Sequence, residues 1–218
     1  MRHLVVLSAG MSTPSTTSNL AAELSSAVRT QVAGRGEDIS INHFEIKELL
    51  PELPKAYNNF GQPTPKLDEA RKALALADGL IAVTPVFQGS YSGLFKMLFD
   101  VLDTHTLSGV PTIIGATAGT SRHSLMLEHA VRPLLSFMHA LVVPTSVFMA
   151  TEDYGSDAGQ EVTNRVTQAA TELAQLMVSN NQKVEGLAPS SPSRPSGAGI
   201  SDDFQSMTEL LRDYGGTN

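Results

Sequence analysis

"LIAVTPVFQGSYSGLFKMLFDVL", residues 80–102, decides the fold. It opens on a continuous apolar run, Leu80–Val83, and closes on a helix-like apolar segment, residues 94–102. A strand that is apolar on both faces belongs in a parallel sheet covered on both sides. Such a strand needs a crossover before its parallel neighbour. The segment 94–102 is that crossover, and Pro111–Ala116 is the next buried strand. Upstream, His3–Leu7 is a short β-rich run, and Leu20, Leu24, Val28 and Val32 then line one helix face. Ile39–Phe44 alternates as a half-buried strand does. Residues 49–65 carry prolines 51, 54, 63 and 65 and read as a loop, and Leu67, Ala70, Leu74 and Ala77 mark a second helix. Downstream, residues 124–140 read as a helix kinked at Pro133, where a helical donor is missing. Residues 141–147 read as a fifth strand, and Val162, Val166, Leu173 and Met177 as a fifth helix face. The alternation predicts an α/β fold: a three-layer, doubly wound sandwich around a five-stranded parallel sheet in the order 2-1-3-4-5.

The totals narrow the function. The 218 residues are enough for one sizeable core. With 41% hydrophobic and 17% charged residues, most of the chain reads as an ordinary soluble globule. A net charge of −7 without a Lys/Arg cluster argues against nucleic acid or an anionic membrane as partner. The absence of cysteine excludes disulfides, thiolate nucleophiles and cysteine-ligated metals. The histidines lack the spacing of a metal site. The opening MRHLVVLSAG is too short in apolar residues for a signal peptide, and no run spans a bilayer, so the expected location is cytoplasmic. The expected domain covers residues 1–183. A linker, 184–200, follows, because residues 186–199 hold three prolines, four serines and three glycines. Residues 201–218 read either as a frayed tail or as a short docking helix with Phe204, Met207, Leu210 and Leu211 on one face.

Ligands of doubly wound sheets bind beyond the carboxyl ends of the strands, where strand order reverses. Three loops lie there. The first, SAGMSTPSTTSN (8–19), is seven-twelfths Ser and Thr and runs into a helix N-terminus, which suits a phosphate. It lacks both the Rossmann and the Walker glycine patterns; a plain helix cap would use only one or two of its hydroxyls. In the second, Pro85, Val86 and Phe87 turn the chain outward, and Gln88, Gly89, Ser90, Tyr91 and Ser92 offer polar groups beside two aromatic faces. It reads as a cup for a flat polar ring or as a turn with tucked-in aromatics. The third, TAGTSRH (117–123), is small and polar, and its His123 reads more readily as a solvated or capping residue than as a ligand. Together the three fit a ligand with a phosphate at one end and a flat heteroaromatic ring at the other, the shape of flavin mononucleotide (FMN).

At these residues the chain resembles the NADPH-dependent FMN reductases of the flavodoxin-like superfamily, especially the reductase partners of luciferase-like and alkanesulfonate-type two-component monooxygenases. The resemblance rests on TPVFQGSYSGLFKMLFDVL (84–102) and GVPTIIGATAGTSRHSLMLEHAVRPLLSFMHALVVPTSVF (109–148), and extends over roughly residues 1–180. It implies that Ser8, Ser12, Ser15, Thr16 and Thr17 hold the FMN phosphate. It implies that Pro85, Val86, Phe87, Gln88, Gly89 and Ser90 lie along the isoalloxazine ring with Tyr91 and Ser92 nearby, and that Thr117, Gly119, Thr120 and Ser121 meet its other edge. Two positions depart from the family pattern. Ser12 stands near the place of a first-loop arginine, and Phe87 stands where a tyrosine is common.

The resemblance further implies hydride transfer from NADPH (or NADH) to FMN, reduced flavin passed to a partner monooxygenase, a homodimer or homotetramer, and no catalytic side chain, because the cofactor carries the chemistry. The apolar segments 94–102 and 124–140 are the expected interface. Rival readings are a tightly FMN-bound quinone or azo reductase, a flavodoxin-like electron carrier that does not oxidise NADPH, and a nucleotide-binding module without turnover.

Overall fold

The computed structural model describes residues 1–58, 64–153, 157–179 and 194–196. Strands β1 (Arg2–Ser8), β2 (Ile39–Glu45) and β3 (Gly79–Phe87) are followed by a short β4 (Ser90–Tyr91). Then come β5 (Pro111–Ala118), β6 (Leu141–Val142) and β7 (Val147–Ala150). The sheet runs β2-β1-β3-β5, with β6 and β7 both beside β5 in the fifth place. All these pairings are parallel, and the expected order 2-1-3-4-5 is present once β4 is set aside as a hairpin arm antiparallel to β3.

Side-chain alternation along β1 builds the two cores. Leu4 and Val6 face α1 (Thr16–Ala33) and α6 (Asp157–Ser179), where Leu20, Leu24, Val28, Val166, Leu173 and Met177 are buried. Val5 and Leu7 face the opposite layer, built from α3 (Pro65–Leu76), α4 (Gly93–Asp100) and the segment after β5. Gly79 lies so close to Met177 that a Cβ there would meet its sulfur, which ties the start of β3 to the end of α6.

Three elements differ from the sequence pattern. The proline-rich stretch expected as a loop contains α2 (Leu53–Asn58), with Leu53 and Ala56 buried; Pro54 falls in its first turn, where a missing N–H costs nothing. The helix expected over 124–140 is instead a π-type turn, Leu127–Val131, leading into a short α5, Arg132–Phe137. Pro133 cannot donate to the turn before it, so it starts a new helix rather than bending a long one. The fifth strand, expected as 141–147, breaks around Pro144 and resumes as far as Ala150. At the break, side chains replace the ladder: Arg132 donates to the carbonyls of Val143 (2.9 Å) and Pro144 (3.2 Å). Thr145 donates through its amide and hydroxyl to Glu172, at 2.9 and 2.7 Å.

The linker and tail expected at 184–218 lie mostly outside the described residues. Arg194–Ser196 are described. Arg194 donates to the carbonyls of Ala75 (2.9 Å) and Ala77 (2.6 Å), and Pro195 accepts from the Thr106 hydroxyl (3.1 Å). This anchors the segment beside the end of α3, at the opposite pole from the candidate loops. Among the described residues, no helix is long and apolar enough to cross a membrane.

Candidate functional site

Strand register brings the three loops together. Ser8 pairs with Val83, and Pro85 with Thr117, so the ends of β1, β3 and β5 form one edge, and the order of strands along the sheet reverses between β1 and β3.

The first loop closes on itself. Ser15 caps α1, its Oγ accepting from the Ser18 amide at 3.2 Å. Gly10 packs against this cap so tightly that a Cβ there would land on Ser15 Oγ. Thr17 is buried, and its hydroxyl meets that of Thr117 at 2.8 Å, stitching the first loop to the third. Ser12 and Thr16 are exposed on the same loop, and the first turn of α1 carries no acidic side chain. Ser8 differs from the other hydroxyls. It is fully buried beneath the loop, 2.9 Å from His43 Nε2 and 3.3 Å from Ser18 Oγ.

The second loop is a two-residue hairpin. Phe87 pairs with Ser90 and Val86 with Tyr91. Gln88 and Gly89 both have positive φ, 51° and 76°, as a type I′ turn requires. The Thr84 hydroxyl accepts from the Ser92 amide (3.1 Å), and Ser92 Oγ caps α4 by accepting from the Phe95 amide (3.1 Å). The two aromatics part company. Tyr91 is half-buried with its ring 5.9 Å from that of Phe95, whereas Phe87 is 50% exposed. Pro85 and Val86 are half-buried, and Gln88 and Gly89 exposed.

In the third loop Thr117 is buried and Gly119 exposed. Thr120 and Ser121 are committed to a neighbour that the sequence reading missed: Glu152, just beyond β7, accepts from the Ser121 amide (2.8 Å) and the Thr120 hydroxyl (3.3 Å). These donors, the Ser121 amide foremost, hold the Glu152 carboxyl below its usual range. Arg122 and His123 are exposed, in keeping with a solvated histidine.

A second missed group lies at the end of β2. Glu45 Oε1 accepts from Ser18 Oγ at 2.7 Å, and its Oε2 lies 2.7 Å from Lys47 Nζ, which donates to Thr13 Oγ1 at 3.3 Å. The Lys47 and Ser18 hydrogen bonds hold the Glu45 carboxyl below its ordinary value, while burial pushes the His43 imidazole down. The alternating polar positions His43 and Glu45 at the end of a strand placed beside β1, continued by Lys47 in the turn that follows, are the signal that could have found them. Among the described residues no group of three or more His, Asp or Glu is placed to hold a metal.

A doubly wound sheet of this order, with a hydroxyl-lined helix N-terminus and an outward hairpin at the switch point, defines a flavodoxin-like nucleotide-binding protein. The donors of the first loop, with Gly10 leaving room only for a bare backbone, fit the phosphate of a flavin nucleotide. Residues 2–155 match the family model of the NADPH-dependent FMN reductases, and the chain belongs to that family. It is 33% identical over 171 residues to an NADH-dependent FMN reductase (SfnF) of Pseudomonas fluorescens, covering 78% of this chain and 87% of the relative. Among solved structures, an oxidoreductase from Corynebacterium diphtheriae superposes with a TM-score of 0.80 at 54% identity, over 82% of this chain and 98% of that one. An apo NADH:FMN oxidoreductase superposes with a TM-score of 0.66 at 30% identity, over 78% and 89%. The chain is thus an oxidoreductase that uses FMN and a nicotinamide nucleotide.

Proposed function

We propose that this protein transfers a hydride from NADPH or NADH to FMN and releases the reduced flavin to a partner flavin-dependent monooxygenase. The observation that carries this reading is the contrast at the sheet edge: a built, neutral phosphate loop beside an open hairpin. FMN supplies the redox chemistry when bound. The chain's own work is to bind and orient. Ser12, Ser15, Thr16 and Thr17, with the free amides of the first turn of α1, hold the phosphate. Ser8 acts from below, supporting Ser18. Pro85, Val86, Phe87, Gln88, Gly89 and Ser90 border the ring, with Tyr91 and Ser92 fixing the hairpin to α4. Thr117, Gly119, Thr120 and Ser121 border the opposite edge, the last two steadied by Glu152. The exposed Phe87 leaves an apolar face where a nicotinamide can approach, and rate then comes from orientation.

The protein works as a homo-oligomer. Phe137, 72% exposed, lines with Phe99, Pro133 and Leu134 a cavity of ≈ 590 Å³ between α4 and α5, an apolar surface on the two segments expected at the interface. Sedimentation of wild type against Phe137→Glu tests this; an unchanged mass distribution refutes the interface.

The functional test is NAD(P)H oxidation by purified protein with and without added FMN. Oxidation that rises with free FMN is expected. Oxidation that needs a quinone, with flavin already bound and slow to leave, would overturn the release reading.

A further inference from the structure

The loop after β1 contains no charge: every side chain from residue 8 to residue 19 is neutral. A phosphate dianion there would meet only hydroxyls, amides and the helix dipole. The fold brings a cation from a different element. β2 runs parallel to β1 with Ser8 beside Glu45, and the 3₁₀ turn that follows, Ile46–Leu49, sets Lys47 against the loop. Lys47 Nζ donates to Thr13 Oγ1 (3.3 Å) and pairs with Glu45 Oε2 (2.7 Å). Glu45 is itself tied to the first turn of α1 through Ser18 Oγ (2.7 Å). The ammonium is therefore held by the helix on one side and by the loop on the other. Two of its three donors are engaged, and its loop partner Thr13 lies on the exposed stretch that includes Ser12 and Thr16.

We propose that Lys47 is the counter-charge of the bound phosphate, directing its remaining donor to an FMN phosphate oxygen from outside the loop. The proposal rests on the phosphate reading of residues 8–19 given above. Glu45 sets its strength. The Glu45–Lys47 pair sums to zero charge, so it offers the phosphate an oriented dipole with the ammonium on the Thr13 side. At Thr13 the ammonium is the charge in contact (3.3 Å), and because Coulomb attraction falls with distance it outweighs the carboxylate for a phosphate seated on that side. The result is a phosphate held more firmly than by hydroxyls alone and less firmly than by a free arginine fork. That suits a flavin which must leave.

The experiment compares FMN with riboflavin, which carries the same ring system without the phosphate, by flavin fluorescence titration of the full chain. Wild type should bind FMN more tightly than riboflavin. Lys47→Met should lose about 10-fold in FMN affinity, the lower end for a charge-assisted bond at a partly exposed site. Riboflavin affinity should be unchanged, and Lys47→Arg should recover most of the loss. The salt sensitivity of FMN binding should shrink in Lys47→Met. If Lys47→Met keeps the wild-type FMN-to-riboflavin ratio, the proposal is overturned. Equal weakening of both ligands also overturns it, since Lys47 would then support only the loop's shape. If wild type itself binds FMN and riboflavin equally, the phosphate reading of the loop has failed, and the Lys47 assignment falls with it.

Discussion

The two ends of the candidate flavin site are built in opposite ways. Around the phosphate loop, Ser8, Ser15, Thr17 and Ser18 each have a hydrogen-bond partner, and Gly10 has no room for a side chain. On the hairpin, Phe87, Gln88 and Gly89 face outward, and a Cβ on Gly89 would meet nothing within 4 Å. A closed loop gives a preorganised anion site, whose ordering cost is met on folding rather than on binding. An open hairpin leaves a ring face accessible to a second substrate. A reductase that must admit a nicotinamide to a flavin needs both.

The sharpest way to break the comparison is to put the same methyl at both ends. Gly10→Ala must displace the Ser15 cap. Overpacking costs about 1–3 kcal/mol and the lost cap about 1 kcal/mol more, so melting should fall by several degrees and FMN affinity with it. Gly89→Ala meets no neighbour, but its φ of 76° costs about 1–2 kcal/mol in an L-residue. Calorimetry should show a smaller loss, and flavin titration almost none. Equal losses of FMN affinity would erase the distinction between the ends. Next in size is the stitch between Thr17 and Thr117. Thr17→Val or Thr117→Val alone strands a buried hydroxyl at about 1–3 kcal/mol, whereas the double variant should lie near wild type. A double-mutant cycle in denaturant measures the coupling. Smaller again is Phe87→Ala. At 50% exposure its stability effect should stay within about 0.5 kcal/mol. The loss of an aromatic face should raise the KM for the nicotinamide nucleotide roughly 2- to 10-fold. An unchanged KM would remove Phe87 from the nicotinamide side.

The sheet was legible in the sequence because its strands are continuous apolar runs and its helices repeat at four residues. Leu20, Leu24, Val28 and Val32 are all buried, as their spacing demands. What escaped was decided by single residues acting against the pattern. Pro133 and Pro144 each removed one donor, and so divided a long helix and a long strand. In the site, motif reading found the loops that cross the switch point but not the residues that reach them from outside. Lys47 and Glu152 are 34 and 31 residues from their partners Thr13 and Ser121. Nothing local to a charge in the turn beyond an edge strand says which loop it will touch. Only the strand order does.

The smallest expected effect is in pH, and it falls on the phosphate end alone. The Glu45 carboxyl is lowered by its bonds to Lys47 and Ser18, so it favours the folded state above the ordinary carboxylate value. That contribution is lost as pH falls through its folded pKa. His43 is lowered chiefly by burial, against the pull of Glu45 and Glu48. Its neutral form therefore belongs to the folded state, and its contribution is present above the ordinary histidine value of about 6.5. It too fades as pH falls, beginning as the unfolded chain takes up a proton and complete once the folded imidazole has done so. Both changes run the same way, His43 at the higher pH and Glu45 at the lower. The hairpin, residues 85–92, contains no carboxylate or histidine. Melting curves collected from neutral to acid pH should thus show His43→Asn flattening the upper part of the decline and Glu45→Gln the lower, by a few degrees at most because Glu45 is partly exposed. Phe87→Ala should follow the wild-type profile throughout. A hairpin variant that altered the pH profile as much as His43→Asn would mean that the two ends fold as one coupled unit.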